Sequence, residues 1–169
     1  MSEEPTFNMS FYESVYSNIR TVEERGVVHA GIELLLDTLY QKGGDIGEIL
    51  ETSMPRSVVK PIKQRLTQAH SSVESVREYL EGLRQALDNL QILSLELAFD
   101  PAEETIAVLT TWMRKNIGEA VVMQLSTDKT LLAGVRLSFE GRYKEVNLGR
   151  IINEAIEQQP QLIQQVLES

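Results

Sequence analysis

The sequence contains no cysteine, which excludes disulfides, thiolate nucleophiles and zinc–thiolate sites and suits a reducing compartment. Its only histidines, His29 and His70, fall on different predicted helices without the usual spacing of metal ligands, so we predict no metal site. No apolar run approaches the roughly 20 residues that span a bilayer. The acidic start MSEEPTFN resembles neither a secretory signal nor an arginine-rich transit peptide, and we therefore expect a cytoplasmic protein.

Motifs of the common enzyme classes are also missing. The stretch Gly43-Gly44-Asp45-Ile46-Gly47 is rich in glycine, but no Lys-Ser/Thr follows it and no predicted strand precedes it, so it does not fit a phosphate loop. The sequence has no Gly-x-Ser-x-Gly elbow, and the acid pair Glu103-Glu104 is explained by a helix start. We predict that the protein is not an enzyme and that it uses no cofactor and no small-molecule substrate.

The composition is that of a globular, acidic protein. The chain has 169 residues, of which 42% are hydrophobic, enough for one or two small domains with packed cores. The formal charge of −9 disfavours nucleic acid and anionic lipid as partners, because both would repel the chain.

Residues 1–91 are predicted to form a helical domain. Local signals divide its first part into three helices, one from a Ser10–Glu13 capping box to Gly26, one from about Val27 to Lys42, and a short one that Asp45 caps and Met54-Pro55 ends. The expected buried face of the second helix is Val28, Ile32, Leu35, Leu36 and Leu39.

From Ile62 to Leu90 the apolar residues repeat at alternating spacings of four and three. This heptad pattern predicts one helix roughly 45 Å long, with Pro61 in its first turn and Gly82 on its outer side. Lys63, Arg77 and Arg84 share one heptad position beside the apolar seam. They are expected to pair with acids of the second and third helices, such as Glu33, Asp37 and Glu48, or with an acidic partner helix; packing within the chain is favoured.

Residues 92–169 are predicted to form a small α/β domain with a C-terminal helix. The expected strands are Gln91–Phe99, Ala120–Leu125, Leu131–Phe139 and Tyr143–Val146, with Ile92, Leu95 and Leu97 as the apolar positions of the first strand. A helix should start at Asp100-Pro101 and end at Gly118, and Gly141 should form the last turn. Asn147 should cap a final helix that Pro160 interrupts. The fold class is therefore α+β.

The most specific pattern lies in residues 127–151. Asp128 precedes Leu131-Leu132-Ala133-Gly134-Val135, and Gly149-Arg150-Ile151 opens the last predicted helix. This pattern resembles the C-terminal signature of the delta subunit of bacterial rotary ATP synthases, whose mitochondrial counterpart confers oligomycin sensitivity. The family usually has Gly in place of Ala133, and an Asp-x-Ser turn in place of Lys144-Glu145-Val146. Tyr12-Glu13-Ser14-Val15-Tyr16 echoes the first helix of the family's six-helix N-terminal domain.

The resemblance implies a non-catalytic stator in the peripheral stalk, serving proton transport and ATP synthesis and associated with the membrane only through the complex. Its implied partners are the alpha subunits of the catalytic head and the b-type stalk helices. The residues expected to bind them are Leu148, Ile152, Ile156 and Leu162 in the C-terminal domain and Tyr12, Tyr16, Lys63, Arg77 and Arg84 in the helical domain. Two alternatives remain, namely the E-type stator of vacuolar, archaeal-type, flagellar or type III secretion ATPases, which joins a long helix to a similar C-terminal domain, and a small helical adaptor that recruits a partner.

Overall fold

A computed structural model describes residues 8–40, 45–68, 72–131 and 135–146 of the chain. It has an α+β fold with a helical N-terminal part and a small sheet in the C-terminal part, which confirms the predicted fold class. The chain divides into two compact units between Leu90 and Gln91, one residue before the predicted boundary.

The part of the helical unit that the structure describes contains a 3-10 turn and five α-helices. They are the turn Met9–Tyr12, then α1 Glu13–Tyr16, α2 Val22–Tyr40, α3 Ile46–Ser53, α4 Arg56–Gln68 and α5 Val73–Asp88. The Asp45 side chain accepts hydrogen bonds from the backbone N–H groups of Gly47 and Glu48, as expected of an N-cap. Met54-Pro55 separates α3 from α4, which also confirms the prediction.

The predicted limits of the first helix are wrong. Asn8 rather than Ser10 caps it, accepting a hydrogen bond from the Ser10 N–H at 3.1 Å. Gly26 does not end a helix but lies inside α2, which starts five residues earlier than expected. The reason is a second capping signal: the Thr21 hydroxyl accepts from the Glu24 N–H at 3.2 Å, and the Glu24 carboxylate accepts from the Arg20 N–H at 2.7 Å.

The predicted single long helix is also wrong, because two helices, α4 and α5, occupy its place. Ser72 caps the second one, its hydroxyl accepting from the Ser75 N–H at 3.0 Å. Pro61 lies inside α4 rather than in a first turn. The heptad seam is buried at Leu80, Leu83, Leu87 and Leu90, whereas Val73 is 62% exposed. Helix α5 packs against α2, so the seam packs within the chain.

In the C-terminal unit, the described residues form β1 Gln91–Leu97, α6 Glu103–Asn116, β2 Val121–Thr127, β3 Val135–Phe139 and β4 Arg142–Val146. The sheet order is β2-β1-β3-β4. Strand β1 pairs in parallel with β2, and α6 is the crossover helix that connects these two strands. Strand β3 pairs antiparallel with both β1 and β4. Leu95 is the centre of the register, facing Leu125 on one side and Leu137 on the other.

The sheet buries one face against α6. The core of this unit is made of Leu93, Leu95, Leu97, Leu109, Met113, Val121, Met123, Val135 and Leu137. Ile92, predicted to be an apolar position of β1, is instead 39% exposed, because alternation along the strand puts it on the face opposite Leu93. Gly118 and Gly141 have φ angles of +146° and +75°, which confirms the predicted helix stop and hairpin turn.

The start of α6 differs from the prediction. Asp100 does not cap it, because the Asp100 carboxylate accepts a hydrogen bond from the Thr127 hydroxyl at 2.6 Å. The helix begins at Glu103, so Pro101 precedes it, and both predicted acids lie in its first turn. The Gly43-Gly44 stop, residues 132–134 of the signature and the final helix from Asn147 lie outside the described residues.

Candidate partner-binding site

The predicted partner-binding residues fall into two groups. Leu148, Ile152, Ile156 and Leu162 lie outside the described residues. Tyr12, Tyr16, Lys63, Arg77 and Arg84 all belong to the helical unit, where the structure distributes them over four elements. Four of these five residues lie in one of three local arrangements, and the fifth, Tyr16, is buried in α1.

The first arrangement is an aromatic corner formed by Phe11, Tyr12, Arg65 and Tyr79. The Tyr12 ring lies 5.1 Å from that of Phe11, edge to face, and 5.6 Å from that of Tyr79. The Arg65 guanidinium lies 4.6 Å above the Phe11 ring, within range of a cation–π interaction. Tyr12 is only 9% exposed, whereas Phe11 is 45% exposed. The accessible aromatic surface therefore belongs to Phe11, which the sequence reasoning did not single out.

Burial dominates the chemistry of this corner. It raises the pKa of Tyr79 and, more modestly, that of Tyr12, so both phenols stay neutral at physiological pH. The Tyr79 hydroxyl is buried and has no hydrogen-bond partner among the described residues. Tyr16 is also buried, so Tyr12 and Tyr16 can affect a partner only through the surface that they support. Arg65 supplies the positive charge of the corner.

Gly82 of α5 makes the corner possible. A Cβ atom at this position would lie 1.9 Å from the Tyr12 hydroxyl oxygen and 2.8 Å from its Cζ. The prediction that Gly82 occupies an outer position of a long helix is therefore wrong, because the Tyr12 side chain packs directly on its Cα. Only glycine admits this approach without displacement of the ring.

The second arrangement is the interface of α2 and α5. Arg84 donates a hydrogen bond to the Glu33 carboxylate at 3.0 Å, which confirms the expected pairing and raises the pKa of Arg84. Arg77 instead pairs with Glu74 and Glu81 of its own helix, and its hydrogen bond to Glu74 is the main cause of a raised pKa. Both arginines are engaged inside the chain. Because these pairs are about a third to two-thirds exposed, they add little stability. The Arg84–Glu33 pair joins α5 to α2, whereas the pairs of Arg77 lie within α5.

The third arrangement, which we call the basic groove, runs along α3 and α4. It has a volume of about 990 Å³ and is lined by Glu51, Arg56, Val59, Lys60, Lys63, Gln64 and Thr67. Lys63 forms an ion pair with Glu51 of α3, so the expected pairing with that helix exists but uses Glu51 rather than Glu48. Arg56 and Lys60 are exposed cations that the sequence reasoning passed over. Arg56, Lys60 and Lys63 are spaced at i, i+4 and i+7, and this helical spacing could have identified a basic face from the sequence.

The C-terminal unit carries a polar cavity on the sheet face opposite its core. The cavity has a volume of about 220 Å³ and is lined by Ser94, Glu96, Gln124, Ser126, Arg136, Ser138 and Tyr143. Arg136 donates to the Glu96 carboxylate at 2.6 Å and lies 3.7 Å from Asp128. Hydrogen bonds from the Thr130 hydroxyl and N–H lower the pKa of Asp128. Arg136 therefore lies between two carboxylates, those of Glu96 and Asp128.

Within the described ranges, no group of three or more His, Asp or Glu side chains could hold a metal ion. In the same ranges, no helix is long and apolar enough to cross a membrane. A scan against protein-family models and a search of curated proteins gave no match. Function is therefore inferred from the sequence pattern and the arrangements above.

Proposed function

We propose that the chain is a delta-type stator subunit of a rotary ATP synthase, which connects the catalytic head to the b-type stalk helices without catalytic activity of its own. The main support is the order of elements in the C-terminal unit. From Gln91 to Val146 the chain runs strand, helix, strand, strand, strand, with a tight turn at Gly141. This is the order that the resemblance to the delta family implies for the same residues.

The helical unit favours the delta type over the E-type alternative. The E-type resemblance depended on one long helix leading into the C-terminal domain, and that segment consists of the two shorter helices α4 and α5. What remains is a set of short helices, in which α3 and α5 pack on α2 while α4 packs on α1 and α3, and this is closer to the multi-helix N-terminal domain of the delta family. The Ser72 cap, which starts α5 as a separate helix, supports the delta type in this proposal.

The burial of the seam also weakens the adaptor alternative. Leu80, Leu83 and Leu87 are fully buried within the helical unit, so they are not available for a coiled coil with another protein. A partner would have to bind an outer surface of the unit. The aromatic corner offers one, with Phe11 as an apolar anchor and Arg65 as a cation beside it.

We infer that a helix from the alpha subunit contacts Phe11 in this corner. Exposed aromatic anchors in helix-binding sites are worth ~1–3 kcal/mol. Phe11→Ser should therefore weaken the binding of a labelled peptide, taken from the N-terminus of the alpha subunit of the same organism, by about 10-fold or more. Fluorescence anisotropy measures this affinity, and circular dichroism verifies that the variant keeps its helical content.

Phe99→Ser is the matched control, because Phe99 is 43% exposed and lies in the C-terminal unit. It should leave the affinity unchanged. Equal loss of affinity in both variants would show a general effect on the protein rather than a contact at the corner. A wild-type chain that does not bind the peptide would contradict the proposed function itself.

A further inference from the structure

Helix α4 has a charge opposite to that of the protein. Its residues Arg56–Gln68 include two arginines and two lysines but no acid, in a chain whose formal charge is −9. The four cations do not all face the same surroundings. Arg65 lies over the Phe11 ring, whereas Arg56, Lys60 and Lys63 line the basic groove.

The groove side chains of α4 lie on one face of the helix. Arg56, Lys60, Lys63 and Thr67 recur at spacings of four, three and four, which places them in one row along α4. At ~1.5 Å per residue this row is roughly 16 Å long. Val59, half-buried, provides an apolar surface between the first two cations. The groove thus combines a short line of positive charge with a central apolar contact.

Two of its cations are available for a partner. Lys63 pairs with Glu51, but Arg56 and Lys60 form no ion pair with any side chain that the structure describes. Like charges four residues apart on one helix destabilise each other. A ligand that placed carboxylates between them would relieve that repulsion, and it would also complement the local charge.

We propose that the basic groove binds an acidic amphipathic segment of another polypeptide, with carboxylates spaced i and i+4 on Arg56 and Lys60 and an apolar side chain on Val59. Charge complementarity selects this occupant. A lipid surface or a nucleic acid is an extended polyanion, far longer than the row of roughly 16 Å, and the formal charge of −9 of the chain would repel it. A peptide segment meets only the groove. This inference does not depend on the stator proposal.

The test uses the full chain and a fluorescein-labelled helical peptide with glutamates at i and i+4 beside a row of leucines. A peptide with glutamine at both positions is its matched control. The affinity of the glutamate peptide should exceed that of the glutamine peptide and fall as salt is raised. In the Arg56→Gln/Lys60→Gln variant it should weaken about 10-fold. Lys115→Gln/Lys129→Gln, which changes the net charge equally at exposed sites of the C-terminal unit, should have no effect.

Four results would overturn the proposal. Equal affinity for both peptides, or equal effects of both double variants, would show that the groove does not recognise carboxylates. Binding of phosphatidylserine vesicles or a single-stranded oligonucleotide that the Arg56/Lys60 variant loses would assign the groove to a polyanion instead. Tighter peptide binding after deletion of residues 2–7 would show that the chain's own Glu3 and Glu4 occupy the groove. Because the alpha-subunit assay depends on Phe11, failure here leaves that assay unaffected.

Discussion

Two glycines in helix interiors provide a matched test of the packing described for the helical unit. Gly26 lies in α2 and Gly82 in α5, and both would gain about 1 kcal/mol of helix propensity on replacement by alanine. Their surroundings differ. A Cβ at Gly26 would meet no heavy atom within 4 Å, whereas a Cβ at Gly82 would lie 1.9 Å from the Tyr12 hydroxyl oxygen.

The expected effects therefore have opposite signs. Gly26→Ala should stabilise the protein by about 0.5–1 kcal/mol, which raises Tm by roughly 2–4 °C for a chain of this size. In Gly82→Ala, overpacking against Tyr12 costs about 1–3 kcal/mol and exceeds the propensity gain, so a net destabilisation of about 1 kcal/mol is expected. Urea unfolding followed by circular dichroism at 222 nm measures both values.

A double-mutant cycle then identifies the cause. Tyr12→Phe removes the oxygen at 1.9 Å but leaves Cζ at 2.8 Å, so it should recover part of the loss caused by Gly82→Ala. A coupling energy of about 1 kcal/mol is expected between the two positions. If Gly82→Ala stabilises the protein as much as Gly26→Ala does, the Tyr12 side chain does not pack on Gly82 and the aromatic corner is misplaced.

Two further predictions concern titratable groups. Tyr79→Phe should stabilise the protein by about 1 kcal/mol in thermal unfolding, because it removes a buried hydroxyl without a hydrogen-bond partner among the described residues. Tyr143→Phe is the control and should leave the stability unchanged, because the Tyr143 ring is exposed. Folding raises the pKa of Tyr79, so the folded state favours the neutral phenol. The free energy of unfolding that depends on this preference is fully present below about pH 10 and is lost as the pH rises through the folded pKa. The Phe variant should lack this alkaline loss. Asp128 should give the opposite pH dependence, because its pKa is lowered in the folded protein. Its contribution to the free energy of unfolding is present above about pH 4 and is lost as the pH falls through the folded pKa. Thr130→Val should raise the Asp128 pKa toward its ordinary range in an NMR titration, and an unchanged pKa would show that the Thr130 hydroxyl is not its partner.

Features with short-range causes were predictable from the sequence. Asp45 caps α3 because its side chain reaches backbone N–H groups two and three residues away. Gly118 and Gly141 mark turns because both need positive φ angles. The Arg84–Glu33 pair was predictable from charge and helix order, although the two residues are far apart in the chain.

Features that depend on tertiary contacts were not predictable in the same way. Heptad spacing shows which face of a helix is apolar but does not require one continuous helix, so the extended backbone at Ser72 left the pattern intact. The role of Gly82 depends on the approach of Tyr12, a residue from the other end of the helical unit. For the candidate site, sequence periodicity identified Tyr12 as apolar, but only the packing shows that Phe11 is the exposed ring.

The central claim is that this chain joins the head and the stalk of a rotary ATP synthase. Purification of the tagged full chain from its source cells in mild detergent, with quantitative mass spectrometry of what accompanies it, tests that claim most directly. We predict recovery of the alpha, beta and b subunits in constant proportion, with recovery of the head subunits reduced in Phe11→Ser and unchanged in Phe99→Ser. Recovery of export-apparatus proteins in their place, or of neither alpha nor b, would contradict the account.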